Sequence, residues 1–279
     1  MSGVDYLFLD SGTGGLPYMM ELKKLLPQAS CVYVGDTIHF PYGEREIEDI
    51  RQLIIELTAK CIERFNPKVI VVACNTISVS ALDVLRKNFS VPFVGTVPAI
   101  KLAASLTKNN CIGLLATRHT VNDSYTEDLI AKFAQNCTVV RRGDAELVSF
   151  IEHNLFTASY EERCNAVTPA VEFFRQHGAD SIVLACTHFI HLQKEFQDVA
   201  GNQIQVIDSR DGVARQAVRV LSDLKKEKPE LFERTEPVAA DKAVYVTGLR
   251  SMQDEAEYRS WCARSNVPFM GCLESTPIL

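Results

Sequence analysis

Runs of β-branched apolar residues recur along the chain, and most break off in small, glycine or hydroxyl-bearing residues before a segment with apolar positions three and four apart. The runs fall at about 5–9, 31–34, 69–73, 91–95, 111–116, 138–141, 181–185, 204–207 and 243–247. An unbroken apolar run suits a strand covered on both faces, which is the condition of a parallel sheet. A helix is predicted over about 45–65, where Ile47, Ile50, Ile54, Leu57, Cys61 and Phe65 form one stripe. Asn66-Pro67 stops it, because the residue before proline avoids the helical region. A second helix is predicted over about 159–177, with Gly178 as a left-handed cap. Alternating strand and helix gives an α/β fold with mainly parallel sheets and right-handed crossovers.

The pattern also repeats on a larger scale. VIVVACNTIS and SIVLACTHFI each carry an apolar run, then Ala-Cys, then a hydroxyl-bearing residue at which a helical pattern begins. Upstream of each lies a strand that opens into a small polar turn, FLDSGTGGLPY at 8–18 and LLATRHTVNDSY at 114–125. The expectation is two pseudo-symmetric, doubly wound domains with the active site in the cleft between them. The first would comprise 1–97 plus 210–279 and the second 98–209, with crossings near VGTVPAIK and VIDSRDG. The tail after about residue 230 reads as a closing strand and helix of the first domain.

Composition narrows the function more than the fold. A length of 279 residues with 47% hydrophobic content is ample for two cores. A formal charge of −6 argues against a nucleic-acid surface as the main partner. The first residues show no basic segment followed by a long apolar stretch, and no run approaches a membrane span, so a cytoplasmic protein is expected. Nine cysteines without a single CxxC read as reduced thiols rather than a disulfide framework. Cys31, Cys61 and Cys111 fit simple burial; Cys74 and Cys186 stand apart because they share a motif.

Ligands in open α/β sheets bind beyond the carboxyl ends of the strands, which is where Cys74 and Cys186 fall. DSGTGGL does not continue into a dinucleotide fingerprint, since Pro17 occupies the third glycine position, and no phosphate-binding GxxxxGK[ST] loop exists. Its glycines let Asp10 and Ser11 stand at a strand end, either to meet a ligand or to cap the next helix. Pro41-Tyr42-Gly43 forms a stiff turn that either offers backbone amides to an anion or merely links strand to helix. Cys186, His188 and His191 lack a fourth metal ligand, so no metal is expected. His188 is better read as a partner that lowers the Cys186 thiol pKa. A lone Cys–His nucleophile would leave Cys74 unexplained. Two opposed thiols instead suit a proton exchange at carbon, one removing a proton and the other delivering one to the opposite face.

DSGTGGL, GDTIHFPYGERE, VVACNTIS, VPFVGTVPAIK, ATRHTVNDSY and ACTHFIHL follow in an order and spacing that resembles the bacterial glutamate racemases of the aspartate/glutamate racemase superfamily. The resemblance covers about 5–225 and is most like the proteobacterial branch. It implies a cofactor-independent enzyme that interconverts L- and D-glutamate and supplies D-glutamate for peptidoglycan. Cys74 and Cys186 match the acid/base pair, the first acting on D-glutamate and the second on L-glutamate. Asp10-Ser11, Pro41-Tyr42-Gly43, Asn75-Thr76 and Thr187-His188 match substrate-binding segments. Asp10, Asp36, Glu152 and His188 match groups that assist the thiols and the substrate ammonium, and Thr117 and Thr120 match positions near the substrate side chain. The resemblance further implies activation by UDP-N-acetylmuramoyl-L-alanine near the domain junction, and a monomer or homodimer. Ile190 and His191 depart from it, standing where the family has proline and leucine. An aspartate racemase or another superfamily enzyme, or a non-catalytic amino-acid-binding or redox-sensing protein, remain the alternatives.

Overall fold

The computed structural model describes residues 3–233 and 242–274. The chain forms two compact units, one made of residues up to Thr96 together with those from Arg210 onward, the other of Val97–Ser209. In the first unit the order is β1 (Tyr6–Asp10), α1 (Leu16–Leu25), β2 (Cys31–Gly35), α2 (Ile47–Phe65), β3 (Val69–Val72), α3 (Asn75–Asn88) and β4 (Phe93–Gly95). The second unit runs α4 (Ile100–Leu106), β5 (Cys111–Ala116), α5 (Arg118–Asn122), α6 (Ser124–Phe133), β6 (Thr138–Gly143), α7 (Ala145–Asn154), α8 (Tyr160–Gln176), β7 (Ser181–Leu184), α9 (Gln193–Ala200) and β8 (Gln205–Ile207). The chain then returns to the first unit with α10 (Arg210–Glu227), β9 (Lys242–Val246), α11 (Met252–Arg264) and β10 (Phe269–Cys272).

Among the described residues every strand pairing is parallel, in a six-stranded sheet ordered β10-β9-β2-β1-β3-β4 and a four-stranded sheet ordered β6-β5-β7-β8. Four strands of the first sheet, β2-β1-β3-β4, share the order of the whole second sheet. In both, the third strand in sequence lies beside the first, which makes the gap between their carboxyl ends the switch point of a doubly wound sheet. Cys74 follows β3 and Cys186 follows β7, so the two thiols occupy equivalent topological positions.

The nine predicted runs all become strands. The β1 and β3 residues are completely buried, which is why their sequences show no alternation. The stripe on α2 buries Ile50, Ile54, Leu57 and Cys61. Asn66 ends that helix in the left-handed region at φ 41°, its N–H donating to Ile62 O. Ser159 and Glu162 form a reciprocal capping box at the start of α8, and Gly178 follows its end at φ 75°. The tail differs from expectation: it is strand, helix and a second strand. In β10 the sequence FMGC is only half-buried, includes Gly271 at positive φ and pairs irregularly at the sheet edge, so it shows no apolar run. Positions 234–241 and 275–279 of that tail lie outside the described residues.

Candidate active site

In the first unit three strand ends converge. Asp10 is the last residue of β1 and is completely buried. Its carboxylate accepts from Ser11 N at 2.7 Å, Gly15 N at 2.6 Å and the Tyr33 hydroxyl at 2.9 Å. Asp10 therefore clamps the whole 11–15 turn rather than occupying the cap position of α1, where Gly15 stands. Only glycine fits at 15, because a Cβ there would come within 2.5 Å of Ala73 O, beside Cys74. The turn so held brings Ser11 Oγ to 3.8 Å from Cys74 Sγ across the gap between β1 and β3. Cys74 is also the N-cap residue of the 14-residue α3. The unpaired amides and partial positive charge of a helix start favour a thiolate over a thiol.

Asn75 opens α3, and both polar ends of its buried amide lack a hydrogen-bond partner among the described residues. An amide left so costs about 1–3 kcal/mol, which marks it as a group kept for a ligand. Thr76 is buried beside it in sequence.

Asp36 follows β2 and is almost fully buried. Its carboxylate accepts from the Tyr42 hydroxyl, from Thr247 Oγ1 at 2.7 Å, and faces His39 Nδ1 at 3.0 Å. Burial, then the Asp36 charge and hydrogen bond, then the nearby Cys74, all push the Tyr42 phenol pKa well above its ordinary value. Tyr42 is thus a neutral donor at physiological pH. It begins a short 3₁₀ turn, Tyr42–Glu44, after the cis Phe40–Pro41 peptide; Pro41 and Gly43 are half-buried.

The second unit surrounds its thiol differently. Cys186 Sγ lies 3.9 Å from His188 Nδ1, and His188 Nε2 lies 2.8 Å from Glu152 Oε2. All three residues are buried. Asp144 caps α7 by accepting from Leu147 N, which fixes the helix that carries Glu152. Burial alone would lower the His188 pKa, but the hydrogen bonds to Cys186 and Glu152 and their charges outweigh it and hold the imidazole well above its ordinary value. As imidazolium it donates to both neighbours, which sets a cation, oriented by a carboxylate, beside Cys186 Sγ.

Behind Cys186 the segment His188–Leu192 forms a 3₁₀ turn with Phe189, Ile190 and Leu192 buried, so the departures at Ile190 and His191 leave this turn closed. His191 is half-buried. Thr187 is buried. Thr117 Oγ1 serves as the N-cap of α5, accepting from Thr120 N, and Thr120 is completely buried. Among the described residues no group of three or more His, Cys, Asp or Glu side chains is gathered as for a metal ion.

Residues 19–217 match the family model described as Asp/Glu/Hydantoin racemase. The chain belongs to the Asp/Glu/hydantoin racemase family. Among its relatives, the glutamate racemase of Treponema pallidum is 38% identical over 96% of each chain. The glutamate racemase of Klebsiella pneumoniae is 41% identical over 77% of this chain and 76% of its own, which carries the likeness to proteobacterial members. The crystal structure of Escherichia coli glutamate racemase, in complex with L-glutamate and the activator UDP-MurNAc-Ala, superposes with a TM-score of 0.82. It is 32% identical and covers 96% of this chain and 98% of that one.

For this racemase the sequence pattern passed over Tyr33, His39 and Thr247, each of which touches a buried site carboxylate. Tyr33 reads as one more strand residue and Thr247 as the end of a tail strand. The only available signal was a polar residue within or just after an apolar strand run.

Proposed function

We propose that the protein is a cofactor-independent glutamate racemase in which Cys74 and Cys186 act as the two acid/base groups. The observation that carries this reading is a pair of buried thiols at equivalent strand ends, each supported by polar groups suited to a thiolate. From D-glutamate the Cys74 thiolate removes the Cα proton and the Cys186 thiol delivers one to the opposite face; from L-glutamate the roles exchange. The Cα–H bond of an amino acid is a very weak acid, so donors fixed in advance must hold the developing negative charge on the carboxylate side. The unpaired Asn75 amide, with the Ser11, Thr76 and Thr187 hydroxyls and the Tyr42-Gly43 turn, is suited to that role. Asp10, Asp36, Glu152 and His188 orient the thiols, and the carboxylates among them balance the charge of the substrate ammonium.

The product D-glutamate would enter peptidoglycan synthesis in the cytoplasm. No helix among the described residues is long and apolar enough to cross a membrane, and the nine cysteines are present as thiols. The activator bound by the E. coli enzyme is carried to this chain as part of the proposal. UDP-N-acetylmuramoyl-L-alanine should raise kcat/KM, and equal values with and without it would remove that element alone.

Circular dichroism of purified protein without added cofactor tests the reaction. Conversion of L- to D-glutamate, faster than conversion of aspartate, is expected. Absence of turnover on glutamate would overturn the assignment, and faster turnover of aspartate would reassign the substrate.

A further inference from the structure

The tail segment that follows β9 reaches back to the Cys74 half of the site. Strand β9 pairs with β2 in a register that sets Val246 opposite Gly35. The next residues, Thr247 and Asp36, therefore leave the sheet side by side. Thr247 N donates to Gly35 O at 2.9 Å, extending the ladder by one bond. Thr247 Oγ1 donates to Asp36 Oδ1 at 2.7 Å and accepts from Ile38 N at 3.2 Å. Thr37 Oγ1 donates to Gly248 O at 2.5 Å and accepts from Gly248 N at 3.3 Å. The Arg250 guanidinium then donates to Ile38 O at 3.0 Å, with Thr37 O and Phe40 O each at 3.5 Å. Arg250 is itself held at the start of α11, where its N–H donates to Asp254 Oδ2 at 3.0 Å.

These bonds fasten residues 36–40, the stretch between β2 and the Tyr42 turn. A loop with few buried apolar contacts is held in one conformation only by such polar anchors. Asp36 in turn accepts from the Tyr42 hydroxyl, and the Tyr42 ring packs in the same buried cluster as Cys74.

We propose that Thr247 and Arg250 are positioning residues: they set the 36–44 loop, and Thr247 orients the Asp36 carboxylate that fixes Tyr42 beside Cys74. The effect on turnover rests on the racemase reading above; the effect on the Cys74 thiol does not. Thr247→Val keeps the shape and loses the hydroxyl, leaving Asp36 without one donor and Ile38 N without its acceptor. Thr247→Ser restores both.

Peptide-resolved alkylation by iodoacetamide reads the thiol directly, with Cys186 as the internal reference. Thr247→Val and Arg250→Ala should each raise the Cys74 rate several-fold relative to Cys186, and Thr247→Ser should return it to the wild-type ratio. An unchanged ratio in Thr247→Val, or equal disturbance in Thr247→Ser, would overturn the proposal whether or not the protein turns over glutamate. In the racemase assay Thr247→Val should lower kcat/KM between about tenfold and a hundredfold, the scale of a small misplacement of reacting groups. The isotope effect from C2-deuterated D-glutamate should rise relative to that from the L-enantiomer. Wild-type turnover with an undiminished Thr247→Val variant would sink the positioning role and leave the racemase reading intact; an inactive wild type would do the reverse.

Discussion

Cys74 and Cys186 follow the same strand in the same sheet order, yet their surroundings are built from different chemistry. Cys186 faces an imidazole backed by a carboxylate, with His188 and Glu152 2.8 Å apart and both buried. Cys74 faces a hydroxyl, Ser11, and sits at the N-cap of a long helix, while the Asp10 carboxylate is engaged by the turn that holds Ser11. A titratable cation can be switched off by pH or by one substitution; a helix start and a set of backbone bonds cannot. The Cys186 side should therefore be the more sensitive to pH and to single changes, and the Cys74 side the more dependent on loop geometry.

The largest expected effect removes either side altogether. Cys74→Ser and Cys186→Ser should each reduce racemisation by at least about a thousandfold, because a hydroxyl is a far weaker acid than a thiol and each face needs its own group. Near wild-type racemisation in either variant would remove the two-thiol basis of the comparison.

Next, His188→Asn should lower kcat by about a hundredfold to ten-thousandfold, the usual range for a positioned proton-handling group. Ser11→Ala should cost less. The two enantiomers have equal free energy, so kcat/KM in the two directions stays equal in every variant, and rates alone cannot say which side was damaged. Isotope effects can. His188→Asn should raise the effect from C2-deuterated L-glutamate and lower that from the D-enantiomer, and Ser11→Ala should do the opposite. The same direction of change in both variants would mean that the two sides are not separate.

A smaller effect concerns stability. The His188 pKa is raised in the folded protein, so its contribution is fully present below the ordinary value of about 6.5 and is lost as pH rises toward the folded value. The stability advantage of wild type over His188→Asn, measured by urea unfolding, should shrink from pH 6 upward. Glu152→Gln removes the charge that helps raise that pKa, so its loss should begin to complete at lower pH. An advantage that grows with pH would contradict the ion-paired reading of this cluster.

The two sides were also unequally legible in the sequence. Cys74 and Cys186 stood out because the signal is local: an apolar run, Ala-Cys, and a hydroxyl-bearing neighbour. The alternating pattern gave the strand order's raw material, and only the irregular edge strand β10 escaped it. Glu152 was reached by resemblance alone, because it meets His188 from 36 positions away through the packing of α7. Thr247 reaches Asp36 across 211 positions, by a strand register that no local pattern encodes. Tyr33 and His39 were hidden for a related reason, since a polar tip on a buried strand or loop is visible only once its partner carboxylate is placed.

The central claim is that one thiol removes the proton and the other returns it. The most direct measurement is deuterium at Cα during turnover of unlabelled L-glutamate in D2O, with the two enantiomers separated at low conversion. The product D-glutamate should carry deuterium while the remaining L-glutamate stays largely unlabelled, and the mirror result should hold from D-glutamate. Deuterium entering the substrate pool as fast as product forms would mean that a single group both removes and returns the proton.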